Sequence, residues 1–124
     1  MNLAGSVLYV ADIPKSVAFY RDLFEREPAH LGDVFALFEL EGGQLRLWQQ
    51  EDVEPAVPDA GKLGTKGGCE LAFGTGGEEA LQRLFDKVTT MADVIQAPRQ
   101  LSFGKAFTAL DPDGHRLRFM HVER

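Results

Sequence analysis

The sequence predicts an α+β protein made of two tandem βαβββ modules, and three observations carry that prediction. Short runs of alternating or continuous apolar residues, bounded by turn residues, read as strands, while only two stretches have helical spacing. The order strand, helix, then about three strands occurs twice, at an interval of about 60 residues. A polar segment rich in Gly and Pro separates the two copies. Solenoid repeats have periods of about 20 to 50 residues and need several copies, so a two-copy architecture fits better. The expected organisation is one domain over 1–124, with module 1 at about 1–50, a linker at about 51–68 and module 2 at about 69–124.

The first copy opens with "SVLYVADIPKSVAFYRDLF", an apolar run ending at Val10 followed by Asp12, whose carboxylate suits the N-cap of a helix. Pro14 belongs in that helix's first turn, and Val17, Tyr20, Leu23 and Phe24 recur at helical spacing as one apolar stripe. "VFALFEL", a turn at Gly42 and Gly43, and "QLRLWQQ" then read as a hairpin. In the second copy "CELAFGT" is a strand, and "GGEEALQRLFDKVTTM" is a helix with Glu78 and Glu79 at its positive end and a stripe of Leu81, Leu84, Phe85 and Val88. A short strand near "DVIQAP", then "KAFTAL", the turn "DPDG" and "HRLRFMHV" complete it. Either copy alone leaves a half-bare curved sheet, so pairing of copies, within a chain or between chains, is needed to enclose the concave faces.

Bulk properties narrow the function. A chain of 124 residues can bury roughly two-thirds of its unfolded surface, enough for a real core. The apolar share of 44% and charged share of 26% are ordinary for a globular protein, and no run approaches the ~20 apolar residues of a membrane span. No secretion signal is read in the first residues, and the single cysteine, Cys69, forms no internal disulfide, so a cytoplasmic location is expected. A formal charge of -6 argues against nucleic acid as a partner. Small molecules or other proteins remain.

Two strands carry arginines among apolar residues: "LRLWQQ" and "HRLRFM". Alternation puts Leu45 and Leu47 on one face with Arg46 opposite, and Leu117 and Phe119 on one face with Arg118 opposite. Trp48 shares the face of Arg46, and Glu70 opposes Leu71 and Phe73. Cys69 is expected to face the helix layer as a buried thiol. His30, His115 and His121 share no ligand spacing, and the acidic stretch at Glu51, Asp52 and Glu54 reads as a solvated linker.

"VLYVADIPKSVAFYRDLF", "ELAF" at 70–73 and "FTALDPDGHRLRF" at 107–119, in this duplicated order, resemble the vicinal oxygen chelate superfamily. That superfamily includes glyoxalase I, extradiol dioxygenases, fosfomycin-resistance proteins and drug-binding proteins of the bleomycin-resistance type. The resemblance implies a cupped eight-stranded mixed sheet with the helices outside, a homodimer, and a cavity lined by the concave faces. In metal-dependent members a His or Gln on the first strand and a Glu on the last strand of each half hold a divalent ion. Those places fall here on Gly5, Arg46, Glu70 and Arg118. Only Glu70 is a metal ligand by chemistry: Gly5 has no side chain and guanidinium groups stay protonated. Two guanidinium groups within ~8 Å of an ion would each oppose it by several kcal/mol at an effective dielectric near 20.

The leading expectation is therefore a metal-free, non-catalytic binder of an aromatic or partly anionic small molecule, with no cofactor and no catalytic residue. Tyr9, Arg46, Trp48, Glu70, Phe103 and Arg118 are its ligand-binding candidates. The aromatics offer stacking surfaces and an arginine offers bidentate grip on an anion. Plainer roles stand beside these: a charge cluster for Arg46, Glu70 and Arg118, sheet packing for Tyr9, a module or subunit contact for Trp48, and a loop anchor for Phe103. The alternative function is a glyoxalase-like lyase or isomerase, or a dioxygenase-related enzyme, with a degenerate metal site and Glu70 as general base. A partner-binding module with side chains filling the cup is the third.

Overall fold

A computed structural model describes residues 1–57 and 68–122 of the chain. It divides into two compact units, Met1–Leu63 and Gly64–Arg124. Each contains one βαβββ module.

Unit 1 runs β1 (Ser6–Val10), α1 (Ile13–Phe24), β2 (His30–Leu31), β3 (Phe35–Leu40) and β4 (Gly43–Gln49), ending in a 3-10 turn at Gln50–Asp52. Its sheet has the order β1-β4-β3-β2, with β1 parallel to β4 and the other pairs antiparallel. The helix begins as expected: Asp12 Oδ1 accepts from the Lys15 N–H at 3.1 Å, and Pro14 sits in the first turn, where a missing N–H costs nothing. Ile13, Val17, Tyr20 and Leu23 are buried, as are Val10, Ala36, Phe38, Leu45 and Leu47 of the strands. Tyr20, Phe24 and Phe38 link helix to sheet, with ring centroids 5.4 to 6.4 Å apart. Such rings add ~0.5 to 1.5 kcal/mol per pair to their area burial.

The hairpin turn differs slightly from the expected two-glycine turn. Leu40 pairs with Gly43, so the loop is Glu41–Gly42, and Gly42 alone takes the left-handed conformation (φ 87°) while Gly43 opens β4. The two-residue β2 is too short to leave a period in the sequence, so the βαβββ order implied a strand here without placing it.

Unit 2 repeats the design with β5 (Glu70–Gly74), α2 (Glu78–Val88), β6 (Asp93–Leu101), β7 (Gly104–Leu110) and β8 (Arg116–Val122), in sheet order β5-β8-β7-β6. Here β5 is parallel to β8. Its helix-facing core is a run of rings, Phe73 on Phe119 at 5.4 Å, Phe119 on Phe107 at 4.8 Å, and Phe107 edge-on to Phe85 of α2 at 5.3 Å. Leu81, Val88 and Leu117 complete it. The strand expected to be short near "DVIQAP" is nine residues long, and its register against β7 shifts twice. It tolerates Pro98 because it is an edge strand, where a missing donor breaks no second ladder.

The Asp-Pro-Asp-Gly turn is held by Asp111, a largely buried carboxylate whose Oδ1 accepts from the N–H groups of Asp113 (2.9 Å) and His115 (2.8 Å). Gly114 supplies the positive φ of 86°. Cys69 requires a correction: β5 starts one residue later, and the thiol is exposed rather than packed under the helix. Of the expected linker, Glu51 and Asp52 lie in the 3-10 turn Gln50–Asp52 and Val53 is buried, while residues 58–67 lie outside the described residues. No helix among the described residues is long and apolar enough to cross a membrane.

Candidate functional site

The helix takes one face of each sheet, and the other face carries the candidate residues. Because side chains at matched register positions point the same way, the strand pairings define the rows on that open face. On unit 1 the central strand β4 presents Gln44, Arg46 and Trp48. Arg46 is flanked by Val7 and Leu37, and Trp48 by Tyr9 and Phe35. On unit 2 the central strand β8 presents Arg116, Arg118 and Met120. There Arg118 is flanked by Ala72 and Thr108, Met120 by Gly74 and Ala106, and Arg116 by Glu70 and Leu110. Arg46 and Arg118 thus occupy equivalent places in the two modules, on the face that alternation assigned to them.

Their surroundings differ. Arg118 grips Glu70 with a fork, Nε to Oε2 at 2.5 Å and Nη2 to Oε1 at 3.1 Å. The hydrogen bond from Arg118 holds the Glu70 carboxyl below the usual carboxylate range; partial burial opposes this, and the charges of Arg118 and Arg116 add to the lowering. Arg118 is correspondingly pushed up, chiefly by the same hydrogen bond. A carboxylate so stabilised in its charged form is a weak proton acceptor at neutral pH.

Arg46 pairs with no carboxylate among the described residues. Its Nη2 donates to Gln44 Oε1 at 2.7 Å and its Nη1 makes a long 3.5 Å contact to the Ala4 carbonyl. Gln44 in turn donates to Glu39 Oε1 at 2.8 Å, so a neutral amide stands between Arg46 and that carboxylate. Gly5 explains this arrangement. Its φ is +153°, and a Cβ built there would stand 2.7 Å from the Gln44 carbonyl and 2.8 Å from Arg46 Nη1. The guanidinium fills the space a side chain at position 5 would need.

The four positions to which the resemblance assigns metal ligands therefore do not form a donor set for a divalent cation. Gly5 offers nothing and is covered by Arg46, two positions are cations, and the one carboxylate is already engaged bidentately. Of the remaining candidates, Tyr9 and Trp48 are half-buried cross-strand neighbours on the open face of unit 1. Phe103 lies in the two-residue turn between β6 and β7 and is 40% exposed, so it is no core anchor of that loop. His121 lies on the Phe119 side of β8, away from Arg118.

Several residues of these faces were not singled out in the sequence. Phe35 and Leu37 were legible, since they alternate with the buried Ala36 and Phe38. Thr108 was not. It is fully buried beside Arg118, and its hydroxyl has no hydrogen-bond partner among the described residues.

Tandem βαβββ modules with polar and aromatic residues on the faces away from their helices define a class of paired-module α+β proteins. A profile of the Glyoxalase/Bleomycin resistance protein/Dioxygenase superfamily matches residues 3–119, and the chain belongs to that superfamily. It is similar to the phenazine antibiotic resistance protein EhpR of Enterobacter agglomerans, 29% identical over 118 residues that cover 90% of this chain and 85% of the relative. It is also similar to the metallothiol transferase FosB of Lysinibacillus sphaericus, 31% identical over 114 residues covering 89% and 74%. A protein of Agrobacterium tumefaciens known from solution NMR superposes with a TM-score of 0.82 at 34% identity over the whole of both chains. A glyoxalase-related enzyme of Fulvimarina pelagi shares the fold, with a TM-score of 0.80 at 22% identity over 98% of this chain and 88% of that one.

Proposed function

We propose that the chain is a metal-free receptor for a planar aromatic small molecule rather than an enzyme. The observation that carries this reading is the occupation of the metal-ligand positions: Arg46 lies over Gly5, and Arg118 neutralises Glu70. What remains on the open face of unit 1 is a set of rings, Tyr9, Phe35 and Trp48, beside one guanidinium. Stacking and apolar burial supply affinity on such a surface, and one polar group sets orientation. Glu70 and Arg118, as a fixed ion pair, and Phe103 are candidates on unit 2 by itself. The similarity to a phenazine antibiotic resistance protein supports an aromatic ligand. The homodimer that the resemblance implies is part of the same proposal.

The similarity to a metallothiol transferase favours a second reading, a metal-dependent enzyme that uses Glu70. It fares worse because Glu70 is committed to Arg118 and its lowered pKa disfavours a base role. Titration of phenazine and related planar compounds against the protein tests the first reading through the fluorescence of Trp48, the chain's single tryptophan. Saturable quenching, weakened at least ten-fold by Tyr9→Ala, is expected; a flat response across such compounds, or stoichiometric divalent metal in the purified protein, overturns it.

A further inference from the structure

The two arginines at matched positions differ in what surrounds them. On unit 2 the charge of Arg118 is already answered by Glu70 at 2.5 Å, and the next row along β8 holds Gly74, Met120 and Ala106, with no ring. On unit 1 the charge of Arg46 is answered, among the described residues, only by a neutral amide and a carbonyl, and the next row along β4 is Tyr9, Trp48 and Phe35. Glu39, the acid nearest to Arg46 in register, lies beyond Gln44 on the side away from the rings.

We propose that Arg46 is the specificity-determining residue of the unit 1 face, selecting planar aromatic ligands that carry an anionic group, a carboxylate or phenolate, at the edge of the ring system. This rests on the receptor reading above and adds the ligand's charge and its direction. Residues two apart on one strand face stand roughly 7 Å apart and neighbouring strands about 5 Å apart. The Arg46 guanidinium lies on the Gly5 and Gln44 side of its row, so a fused ring system on Trp48 and Tyr9 meets it through a substituent on the edge that faces Gln44. The fork of Arg46 is held in place for such a group, because the missing side chain of Gly5 leaves room for Nη1 and Gln44 holds Nη2. A charge-assisted hydrogen bond at a half-buried site is worth about ten-fold or more in affinity. Arg118 carries no such preference, since an incoming anion would have to displace Glu70.

Calorimetric titration of phenazine-1-carboxylate and its methyl ester against the full chain tests the proposal. The wild-type protein is expected to bind the carboxylate about ten-fold or more tightly than the ester. Arg46→Gln should reduce that ratio to below about two-fold, while Arg83→Gln, which removes one positive charge from the exposed side of α2, should leave the ratio unchanged. Arg46→Lys, which keeps the charge and loses the fork, should give an intermediate ratio and serves if Arg46→Gln unfolds. Equal binding of acid and ester, or a preference that vanishes in Arg83→Gln or survives in Arg46→Gln, overturns the assignment while the receptor reading stands. If neither compound binds, the receptor reading fails and the assignment falls with it.

Discussion

Beneath their sheets the two units are built alike, and above them they are not. In each, one parallel and one antiparallel strand flank the central strand that carries the arginine, and the helix covers a core of phenylalanines and aliphatic residues. On the open face, unit 1 sets a glycine, an amide and three rings around its arginine, while unit 2 sets a glutamate, a second arginine and a buried hydroxyl around its own. The helix side must exclude water and fill volume, which constrains size and apolarity in both modules alike. The open face is free of that demand, so matched positions can diverge toward packing in one unit and charge pairing in the other.

The comparison can be broken first at Gly5. If its role is to make room for Arg46, Gly5→Ala forces a left-handed-side φ of +153° onto an alanine and drives its Cβ into the Gln44 carbonyl. A loss of about 1 to 3 kcal/mol in a denaturant melt is expected. Unchanged stability would mean that the two units differ at this place without structural consequence. A Gly5→Glu change, the direct imitation of unit 2, should suffer the same strain and fail to create a second forked ion pair.

Thr108 gives a smaller effect of opposite sign. Its counterpart in unit 1 is Leu37, and its hydroxyl is buried with no partner among the described residues. Thr108→Val keeps the branched shape suited to a strand and removes the orphaned group, so a gain of about 1 kcal/mol is expected from the thermal midpoint. Destabilisation instead would reveal a partner for the hydroxyl and remove this contrast between the units.

The smallest effect concerns the Glu70–Arg118 pair. Folding lowers the pKa of Glu70, so the pair's contribution is complete above the unfolded chain's ordinary glutamate value, about 4.3, and is lost as pH falls through the lower folded value. Glu70 keeps a third of its side chain exposed, so screening holds the contribution below about 1 kcal/mol. Glu70→Gln should lower the neutral plateau by that amount and so flatten the acid limb, the two profiles converging at acid pH where the wild-type pair is already lost. A neutral plateau identical to wild type would show the fork to be energetically idle.

Most of the fold was legible because periodicity is a local property of the chain. The Asp12 cap, the α1 stripe, the β3–β4 hairpin and the duplicated order all follow from spacing within a few residues. Boundaries were less so: β2 is too short to show a period, β6 extends past a proline because it is an edge, and Cys69 falls just outside a strand whose alternation it appeared to join. For the site, alternation correctly assigned Arg46, Trp48, Glu70 and Arg118 to the faces opposite the helices. It gave no means of telling the arginines apart.

By itself, then, the sequence determined the class of fold, the two modules and the face on which each polar residue stands, since each depends on side-chain alternation and helical repeat along a continuous segment. Only the tertiary structure decided that Arg118 is neutralised by a glutamate 48 positions earlier, that Arg46 lies over Gly5, and that Thr108 is sealed beside Arg118. Those outcomes depend on which strands become neighbours and in what register, and register is a long-range property fixed by the packing of the whole sheet.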